Sequence, residues 1–505
     1  MAETCIVSFG GGMNATLSLA SILAEQARRR PDRIALIEGP QRITFAELWA
    51  QAREQAGALV ELGVRPGDRV ALMCPNTAEF PRAYYAILAA GAVVIPVHLL
   101  LTADETAHVL RDSGATLLVC HEQFAGVGQV AAAAAGIGCH DPNTLVAEPI
   151  GSFVSRAPGD PAVVFYTSGT TGKPKGAELS HLNMVMNATV NAFDANDVRS
   201  DDVALGALPL FHIFGQTVSM NSTWRAGATL VLQPRFDPDA AIRLMHAEGV
   251  NTFHGVPTMY VRLITAATKL GAPHLRLCIS GGASLPQPVL ETFHDLFGTR
   301  ILEGYGLSET SPTAAVNQPD FGPRAGTVGH AVWGVEVEIA DPGVPDEIVL
   351  LPSGELGEIV IRGHNVFNGY IGNPGATARA VVQGWFRTGD LGVKDADGYV
   401  TIADRIKDMI IRGGFNVYPS EVEEALLYHP AVEAVAVIGL PDETYGEEIC
   451  AVVVAGGPLT AEEVVAFGRE RLAKHKYPRR VEFVDQLPLG PSHKVLKREL
   501  VRRYG

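Results

Sequence analysis

The sequence predicts an α/β protein with a large N-terminal domain of mostly parallel sheets, a β-rich subdomain and a small C-terminal α/β domain. Three observations support this class. Short apolar runs alternate with helical stretches over residues 17–280, a stretch rich in strands and turns covers residues 335–361, and the last hundred residues repeat the alternation on a smaller scale. Alternating strands and helices form crossover units with helices on both sheet faces. A chain of 505 residues also exceeds what a single core holds.

The expected N-terminal domain spans residues 1–403. A first helix covers residues 17–30 and ends at Pro31, and a second begins at Thr44, which forms a capping box with Glu47. We expect a further helix at residues 102–112, and we expect residues 126–160 to be a surface connection. Residues 1–12 are expected to precede the folded part, which begins near Met13. The strands are predicted at residues 69–74, 92–97, 115–120, 162–165, 203–208, 228–232, 251–254 and 275–280.

The expected C-terminal domain spans residues 404–505, with the boundary near residues 404–407. Helical periodicity covers two stretches, and three apolar runs of strand length lie around them. The helices are predicted at residues 418–428 and 461–474, and the strands at residues 431–438, 449–454 and 481–484.

Composition excludes several classes of protein. With 40 basic and 55 acidic residues the net charge is −15, so a general affinity for nucleic acid is not expected. No apolar run reaches the roughly 18 residues of a membrane span, and residues 1–12 lack the basic start of a signal peptide. The six cysteines form no CxxC pair, which argues against a zinc site or a disulfide framework. We expect a cytoplasmic enzyme that acts on small molecules.

Residues 166–176 form a loop of small, hydroxylated and glycine residues directly after the apolar run 162–165. Such a loop directs many backbone N–H groups and hydroxyls to one point, with Lys173 and Lys175 beside them. This combination holds phosphate groups. A Walker A loop is excluded because Pro174 removes an N–H that its helix requires. A flexible surface linker is disfavoured, since lysines after a strand are not linker chemistry.

Three further clusters are candidates for a functional role, and two of them, around Tyr305 and Asp390, suit a nucleotide. Glycines flank Tyr305, so a flat ligand can approach the backbone and stack on the ring. The carboxylate of Asp390 can accept hydrogen bonds from two ribose hydroxyls at once. Taken alone, Tyr305 is an ordinary core tyrosine, Asp390 a turn aspartate and the terminal basic run a solvated helix end. The clusters are residues 280–283 with 303–310, residues 384–390 with 404–408, and residues 489–500.

Four motifs in this order resemble the adenylate-forming superfamily of acyl-CoA synthetases, luciferases and peptide-synthetase adenylation domains, over nearly the whole chain from about Met13. The resemblance implies ATP, Mg²⁺ and CoA as cofactors. It implies that Tyr305 stacks on adenine, that Glu309 ligates the metal and that Lys494 bridges the substrate carboxylate and the α-phosphate. The catalytic residues implied are Lys494, Glu309 and His212. The residues implied for phosphate are Thr167, Ser168, Gly169, Thr170, Thr171, Lys175 and Ser308, and those for adenine and ribose are Gly282, Ala283, Tyr305, Asp390 and Arg405.

The resemblance also implies two other sites and a hinge. Gly413, Gly414 and Phe415 are expected to line the CoA channel, where a thin phosphopantetheine favours glycine. Lys407 is expected to be the hinge, because a small domain cannot present both this loop and Lys494 in one orientation. The acyl pocket implied consists of His212, Phe214, Gly255, Val256, Gly281, Gly304 and Gly306.

The chain departs from the family pattern at His493, where the family usually has glycine. Glycine takes a positive φ without penalty, whereas histidine there must accept a left-handed backbone at a cost of about 1–2 kcal/mol or reshape the loop. Two outcomes stay open: the loop adjusts with no effect, or the two half-reactions become unequal.

The reaction implied is the ATP-dependent activation of a carboxylic acid to an acyl-adenylate, followed by thioester formation with CoA. The expected acyl pocket is apolar or small with no evident arginine, which favours a neutral medium-chain, long-chain or bulky acid. One alternative is an acyl-AMP ligase that serves a carrier protein or partner enzyme. Another is a catalytically silent nucleotide-binding relative, and a kinase is disfavoured by the missing kinase motifs. Whether the chain forms a homodimer stays open.

Overall fold

The computed structural model describes residues 15–167, 174–490 and 495–505. The α-helices in these residues are α1 Ser21–Arg29, α2 Phe45–Glu61, α3 Glu79–Ala89, α4 Ala103–Ser113, α5 Ala125–Ala135, α6 His181–Val190, α7 Ser222–Ala226, α8 Pro238–Glu248, α9 Pro257–Leu270, α10 Gln287–Phe297, α11 Pro374–Ala380, α12 Pro419–Leu427, α13 Ala461–Arg471 and α14 Lys497–Tyr504.

The strands of the first half of the described chain are β1 Ile34–Glu38, β2 Gln41–Thr44, β3 Arg69–Met73, β4 Val93–Pro96, β5 Ala115–Cys120, β6 Gly138–His140, β7 Pro161–Thr167, β8 Lys175–Ser180, β9 Val203–Gly206, β10 Thr229–Leu232, β11 Thr252–Gly255, β12 Leu277–Gly281 and β13 Ile301–Gly306. Those of the second half are β14 Thr313–Val316, β15 His330–Ala331, β16 Val335–Ala340, β17 Leu356–Gly363, β18 Gly369–Tyr370, β19 Val381–Val382, β20 Trp385–Lys394, β21 Val400–Arg405, β22 Ile410–Arg412, β23 Phe415–Val417, β24 Val432–Asp442, β25 Gly446–Ala455 and β26 Arg480–Phe483.

Two large sheets form the N-terminal part, and each has a parallel centre. The nine-stranded sheet is antiparallel at both edges, whereas the seven-stranded sheet is antiparallel only at the β18-β8 edge. One sheet has the order β18-β8-β7-β4-β3-β5-β6, and the other has the order β15-β14-β13-β12-β11-β9-β10-β1-β2. The central strands β3, β4, β10, β11 and β12 are almost wholly buried, as expected for parallel strands covered on both faces. The predicted α/β class with parallel-rich sheets is confirmed.

Two smaller sheets complete the fold. The β-rich subdomain is the antiparallel sheet β16-β17-β20-β19 with β21 paired to β20. The C-terminal sheet is β23-β22-β25-β24, with β26 added parallel to β25. Sheet membership changes between Arg405, which ends β21, and Ile410, which begins β22. The division at residues 403 and 404 stays a prediction.

The largest apolar cluster lies between the two large sheets and connects them. It joins Leu36 and Leu230 of one sheet to Val70 and Leu72 of the other through buried residues of α2, α3 and α7. Trp224 is fully buried there, and its Nε1–H donates to the carbonyl oxygen of Ala35 at 2.9 Å. The packing therefore holds the two sheets in one body.

The capping box at Thr44 and Glu47 is confirmed, and a second one begins α4 at Thr102. The prediction that residues 126–160 are only a surface connection is wrong. Helix α5 occupies residues 125–135 and β6 extends the seven-stranded sheet beside β5. The consecutive alanines there have the highest helix propensity but no apolar periodicity, so the pattern gave no helix signal. Residues 1–12 lie outside the described residues.

None of the described helices has both the length and the apolar character needed to cross a membrane.

Candidate functional site

Three residues predicted for the nucleotide lie together at the edge of the β-rich subdomain. Asp390 on β20 and Arg405 on β21 are direct partners across two antiparallel strands. The hydroxyl of Tyr305, at the end of β13, donates to Oδ2 of Asp390 at 2.6 Å. Arg405 Nε lies 3.4 Å from the other oxygen, Oδ1. The backbone N–H of Asp390 donates to Oγ1 of Thr388, which further fixes the backbone of β20 at Asp390.

Burial governs the chemistry of this trio. The Asp390 side chain is 8% exposed, whereas that of Arg405 is 46% exposed. Burial and the neighbouring Asp390 carboxylate raise the pKa of Tyr305 well above its usual value. Tyr305 therefore stays a neutral hydrogen-bond donor at physiological pH. A carboxylate fixed in this way keeps acceptor capacity for two ribose hydroxyls.

The expected phosphate site lies where β7 ends and β8 begins. Thr167 and Lys175 are paired across these antiparallel strands, on either side of the loop. Thr167 Oγ1 donates to Oε1 of Glu309 at 3.4 Å. Ser308 and Glu309 begin the short helical turn after β13. The structure thus brings Thr167, Lys175, Ser308 and Glu309 to one region. Ser168, Gly169, Thr170 and Thr171 lie outside the described residues.

Tyr370 belongs to this region, and the sequence analysis missed it. Its hydroxyl donates to Glu309 Oε1 at 2.8 Å, and Lys175 Nζ lies 5.1 Å from the centre of its ring. Burial and the Glu309 carboxylate raise the pKa of Tyr370 far above its usual value. The sequence feature that could have identified Tyr370 is its position between Gly369 and Gly372, which is similar to the position of Tyr305 between two glycines.

Glu309 fits a magnesium ion that is shared with phosphate. Mg²⁺ takes one or two carboxylates, keeps several waters and uses phosphate oxygens for the remaining positions. The Glu309 side chain is largely buried, and its Oε1 atom already accepts from two hydroxyls. Among the described residues no group of three His, Cys, Asp or Glu side chains could hold a metal ion. A metal ion at Glu309 would therefore take its other ligands from phosphate oxygens and water.

A cavity extends from the nucleotide residues toward β11 and β12. Of the predicted acyl pocket, His212, Phe214, Val256, Gly281, Gly304 and Gly306 line it. The nucleotide residues Gly282, Tyr305 and Ser308 line the same cavity, so the two sites are continuous. The remaining lining residues are Asn191, Leu208, Pro209, Ile213, Val218, Ile279, Ser280, Leu307, Pro312, Thr313 and Val316. No arginine or lysine is present among these described lining residues.

Gly255 differs from the prediction, because the structure places it beside the cavity rather than in its wall. A Cβ atom on Gly255 would lie 2.7 Å from the ring of Phe253 and 3.3 Å from Tyr260, both buried in the core. Glycine at position 255 is therefore required by the packing of the core.

The glycines of the cavity wall differ in how much space surrounds the position of a Cβ atom. A Cβ atom on Gly306 would lie 1.7 Å from the carbonyl oxygen of Pro312, so the backbone itself excludes a side chain. A Cβ atom on Gly281 would lie 3.2 Å from the Phe214 ring. At Gly304 the nearest atom is 3.6 Å away, an ordinary contact distance. The protein therefore has room for a side chain at Gly304, and its absence leaves space in the cavity.

The ring of His212 is held by a hydrogen bond from the backbone two residues later. Its Nδ1 atom accepts a hydrogen bond from the N–H of Phe214 at 3.2 Å. In the neutral imidazole the proton is therefore on Nε2. The segment before it is held by Asn76, whose amide bonds the carbonyl of Leu208 and the N–H of Leu210. Asn76 is a second residue that the sequence analysis missed.

The remaining predicted residues lie outside this cavity wall. Gly413 and Gly414 form the tight turn between β22 and β23 with positive φ angles of 57° and 83°, which glycine adopts without strain. Phe415 is exposed and its ring lies 4.7 Å from that of His475. Lys407 is exposed in the turn after β21, and partial desolvation of its ammonium group together with the nearby Arg405 lowers its pKa. Ala283 follows β12 in an exposed bend. Lys494 and His493 lie outside the described residues.

Comparison with known families agrees with this geometry. The family described as AMP-binding enzyme matches residues 23–371, and its C-terminal domain family matches residues 421–494. The chain belongs to this adenylate-forming superfamily.

Individual relatives match over almost their whole lengths. A feruloyl-CoA synthase of an Amycolatopsis species is 39% identical and covers 96% of this chain and 99% of its own. ATP-bound MatB of Rhodopseudomonas palustris is 34% identical with a TM-score of 0.87, covering 96% and 99% of the two chains. The o-succinylbenzoate CoA synthetase of Bacillus subtilis, solved with its acyl-adenylate, is 32% identical with a TM-score of 0.87, covering 96% and 98%.

Proposed function

We propose that this protein is an AMP-forming acyl-CoA synthetase for a neutral carboxylic acid with a bulky or a medium-to-long apolar part. The observation that carries the proposal is the continuity of the cavity. Its apolar end contains Phe214, Val218 and Val256, and its other end reaches Tyr305 and Ser308. An acid bound with its apolar part inside presents its carboxylate toward the phosphate region. A second carboxylate would be buried without a cationic partner, which is costly.

In the first half-reaction a carboxylate oxygen of the acid attacks the α-phosphorus of ATP, and the bond to the leaving pyrophosphate breaks. This transfer requires alignment and charge neutralisation rather than a protein nucleophile. Tyr305, Asp390 and Arg405 would orient the adenosine. Lys175 and Lys494 would supply positive charge, and Glu309 would hold Mg²⁺, which neutralises charge on the phosphate oxygens when bound.

In the second half-reaction the thiol of CoA attacks the carbonyl carbon of the acyl-adenylate. A carbon–sulfur bond forms, the carbon–oxygen bond to AMP breaks and the thiol proton is released. The turn Gly413-Gly414 is free of side chains and lies next to an exposed Phe415, which suits a thin pantetheine chain. The cofactors of the complete reaction are ATP, Mg²⁺ and CoA, and we expect it to occur in the cytoplasm.

The test is a panel of acids assayed for pyrophosphate and AMP with and without CoA. We expect octanoate or a bulky ring acid such as ferulate to be turned over faster than malonate. Faster turnover of malonate would contradict the neutral pocket. Pyrophosphate release without a CoA thioester would favour the acyl-AMP ligase that supplies a carrier protein or partner enzyme. Failure to release pyrophosphate with any acid would favour a silent nucleotide-binding relative.

The cavity offers a second test of the substrate class. Gly304→Val adds a side chain at a position where the nearest protein atom is 3.6 Å from the Cβ site. We expect the variant to fold normally and to lose turnover of a bulky ring acid by about tenfold or more, while propionate keeps its rate. This ratio separates a filled pocket from a general defect. An equal loss for both acids would contradict the placement of the acyl group.

A further inference from the structure

The C-terminal helix α14 is joined to helix α12 by an ion pair. Lys497 Nζ lies 2.7 Å from Oε1 of Glu423, and the two side chains are 24% and 20% exposed. The same Glu423 oxygen accepts from the backbone N–H of Val437 at 2.7 Å. Burial raises the pKa of Glu423, and Lys497 opposes that change. One carboxylate therefore connects α12, β24 and α14.

Lys497 has no favourable role within its own helix. It is the first residue of α14, where the helix dipole is positive and a cation is unfavourable. The contact that the structure shows for its ammonium group is Glu423, in a different part of the domain. The charge at this position is therefore explained by the pair with α12.

The pair lies at the base of the segment that contains Lys494. Leu489 and Val495 pair as an isolated antiparallel bridge, and the N–H of Leu496 donates to the carbonyl of Pro488 at 2.8 Å. Val495 also packs against the buried cluster that contains Leu440 and Leu500. The described residues on either side of positions 491–494 are thus attached to each other, and Val495 and Lys497 attach this part of the chain to the rest of the domain.

We propose that Glu423 and Lys497 are positioning residues for Lys494 in the adenylation half-reaction. This inference rests on the proposed function, in which Lys494 acts at the α-phosphate and is not used in thioester formation. The pair holds Lys497, the first residue of α14 and three residues after Lys494 in the chain, against α12 and β24. A small misplacement of a catalytic group costs up to about 100-fold in rate, so loss of this attachment is expected to affect one half-reaction selectively.

The same helix supplies a matched control. Lys476 Nζ lies 2.7 Å from both carboxylate oxygens of Glu421, which is two residues before Glu423 on α12. This second pair is also partly exposed and joins α12 to the segment after α13. It has no covalent continuity with residues 490–494. Removing the pair between Lys476 and Glu421 therefore tests the loss of an ion pair on α12 that is not expected to change the position of Lys494.

The experiment compares Lys497→Met, Glu423→Gln and the double variant with Lys476→Met. Pyrophosphate release measures adenylation, and thioester formation from a supplied acyl-adenylate and CoA measures the second step. We expect Lys497→Met and Glu423→Gln to lower kcat of adenylation by about tenfold or more, with thioester formation within about twofold of the wild type. We expect Lys476→Met to leave both steps within about twofold.

The double variant separates positioning from charge burial. If Lys497→Met acts only by leaving Glu423 buried and unpaired, adding Glu423→Gln restores the adenylation rate and contradicts the proposal. Equal slowing of both half-reactions, or adenylation at the wild-type rate in Glu423→Gln, also contradicts it. Lys497→Arg keeps a cation at this position and is the folded comparison if Lys497→Met is unstable. Failure of the proposed function appears differently, because the wild type then releases no pyrophosphate with any acid.

Discussion

The hydroxyl of Tyr305 donates a hydrogen bond to Asp390 across 2.6 Å, between residues that are 85 positions apart in the chain. The bond joins the end of β13, in the nine-stranded sheet, to β20 in the β-rich subdomain. The residue expected to face adenine is thus attached to the residue expected to face ribose. Because this arrangement is formed by the protein alone, little reorganisation is needed when a nucleoside binds.

Replacing Tyr305 with phenylalanine keeps the ring and removes this bond. A hydrogen bond to a charged group contributes about 1.5–3 kcal/mol, of which we expect part to be lost from ATP binding. The KM for ATP is expected to rise by about three- to tenfold, with kcat nearly unchanged. Tyr399→Phe is the control, since its hydroxyl bonds the carbonyl oxygens of Phe321 and Gly322 instead. An unchanged KM in Tyr305→Phe would show that the bond does not orient the nucleoside.

The sequence predicted the residues of this trio but not the bond. Tyr305 lies in a different motif from Asp390 and Arg405, and motif order alone gives no distances. Tyr370 and Asn76 were missed because they act through contacts with Glu309 and with the backbone at residues 208–210, which depend on how the sheets pack. Helix α5 was missed because alanine has helix propensity without periodicity. The strands of the parallel sheets were predicted well, since burial on both faces makes them continuous apolar runs.

Glu309→Gln tests the metal site. The amide keeps the size of the side chain and removes its charge, while the hydroxyls of Thr167 and Tyr370 still have an oxygen acceptor. We expect the Mg²⁺ concentration that gives half-maximal adenylation to rise by about tenfold or more, because a single carboxylate is the expected protein ligand. Tyr370→Phe is the comparison, since it removes a neighbour of Glu309 and leaves the charge. The same Mg²⁺ dependence in Glu309→Gln and wild type would place the metal elsewhere.

Lys407→Pro tests the proposed hinge. Lys407 lies in the turn between β21 and β22, where the N–H groups of Asp408 and Met409 both donate to the carbonyl of Arg405. Proline restricts φ and therefore limits rotation of the chain at this turn. We expect thioester formation from a supplied acyl-adenylate to fall by about tenfold or more, with adenylation nearly unchanged. Lys407→Ala removes the same side chain without this restriction and is the control. Equal losses in both half-reactions would count against a hinge at Lys407.

Glu303 is a buried carboxyl group behind the nucleotide site. It is 7% exposed, its Oε1 atom accepts from the N–H of Leu285 at 3.2 Å, and its Oε2 atom has no partner among the described residues. Burial raises its pKa to about 7 from an ordinary value of 4.5. Leu285 follows the bend that contains Gly282 and Ala283, so the protonation of Glu303 is linked to a loop of the nucleotide site.

The raised pKa predicts a pH dependence of stability that Glu303→Gln removes. Between pH 4.5 and about 7 the folded protein keeps a proton on Glu303 that the unfolded chain releases. This contribution is fully present below pH 4.5 and is lost as the pH rises through about 7, which amounts to about 3 kcal/mol in the free energy of unfolding. Urea unfolding at about pH 5, 6, 7 and 8 should show the variant gaining stability relative to the wild type as the pH rises. The control is Glu291→Gln on α10, which makes the same substitution at an exposed carboxylate. Parallel profiles for Glu303→Gln and wild type would mean that Glu303 is ionised in the folded protein at low pH, and that its buried oxygen has a partner in solution.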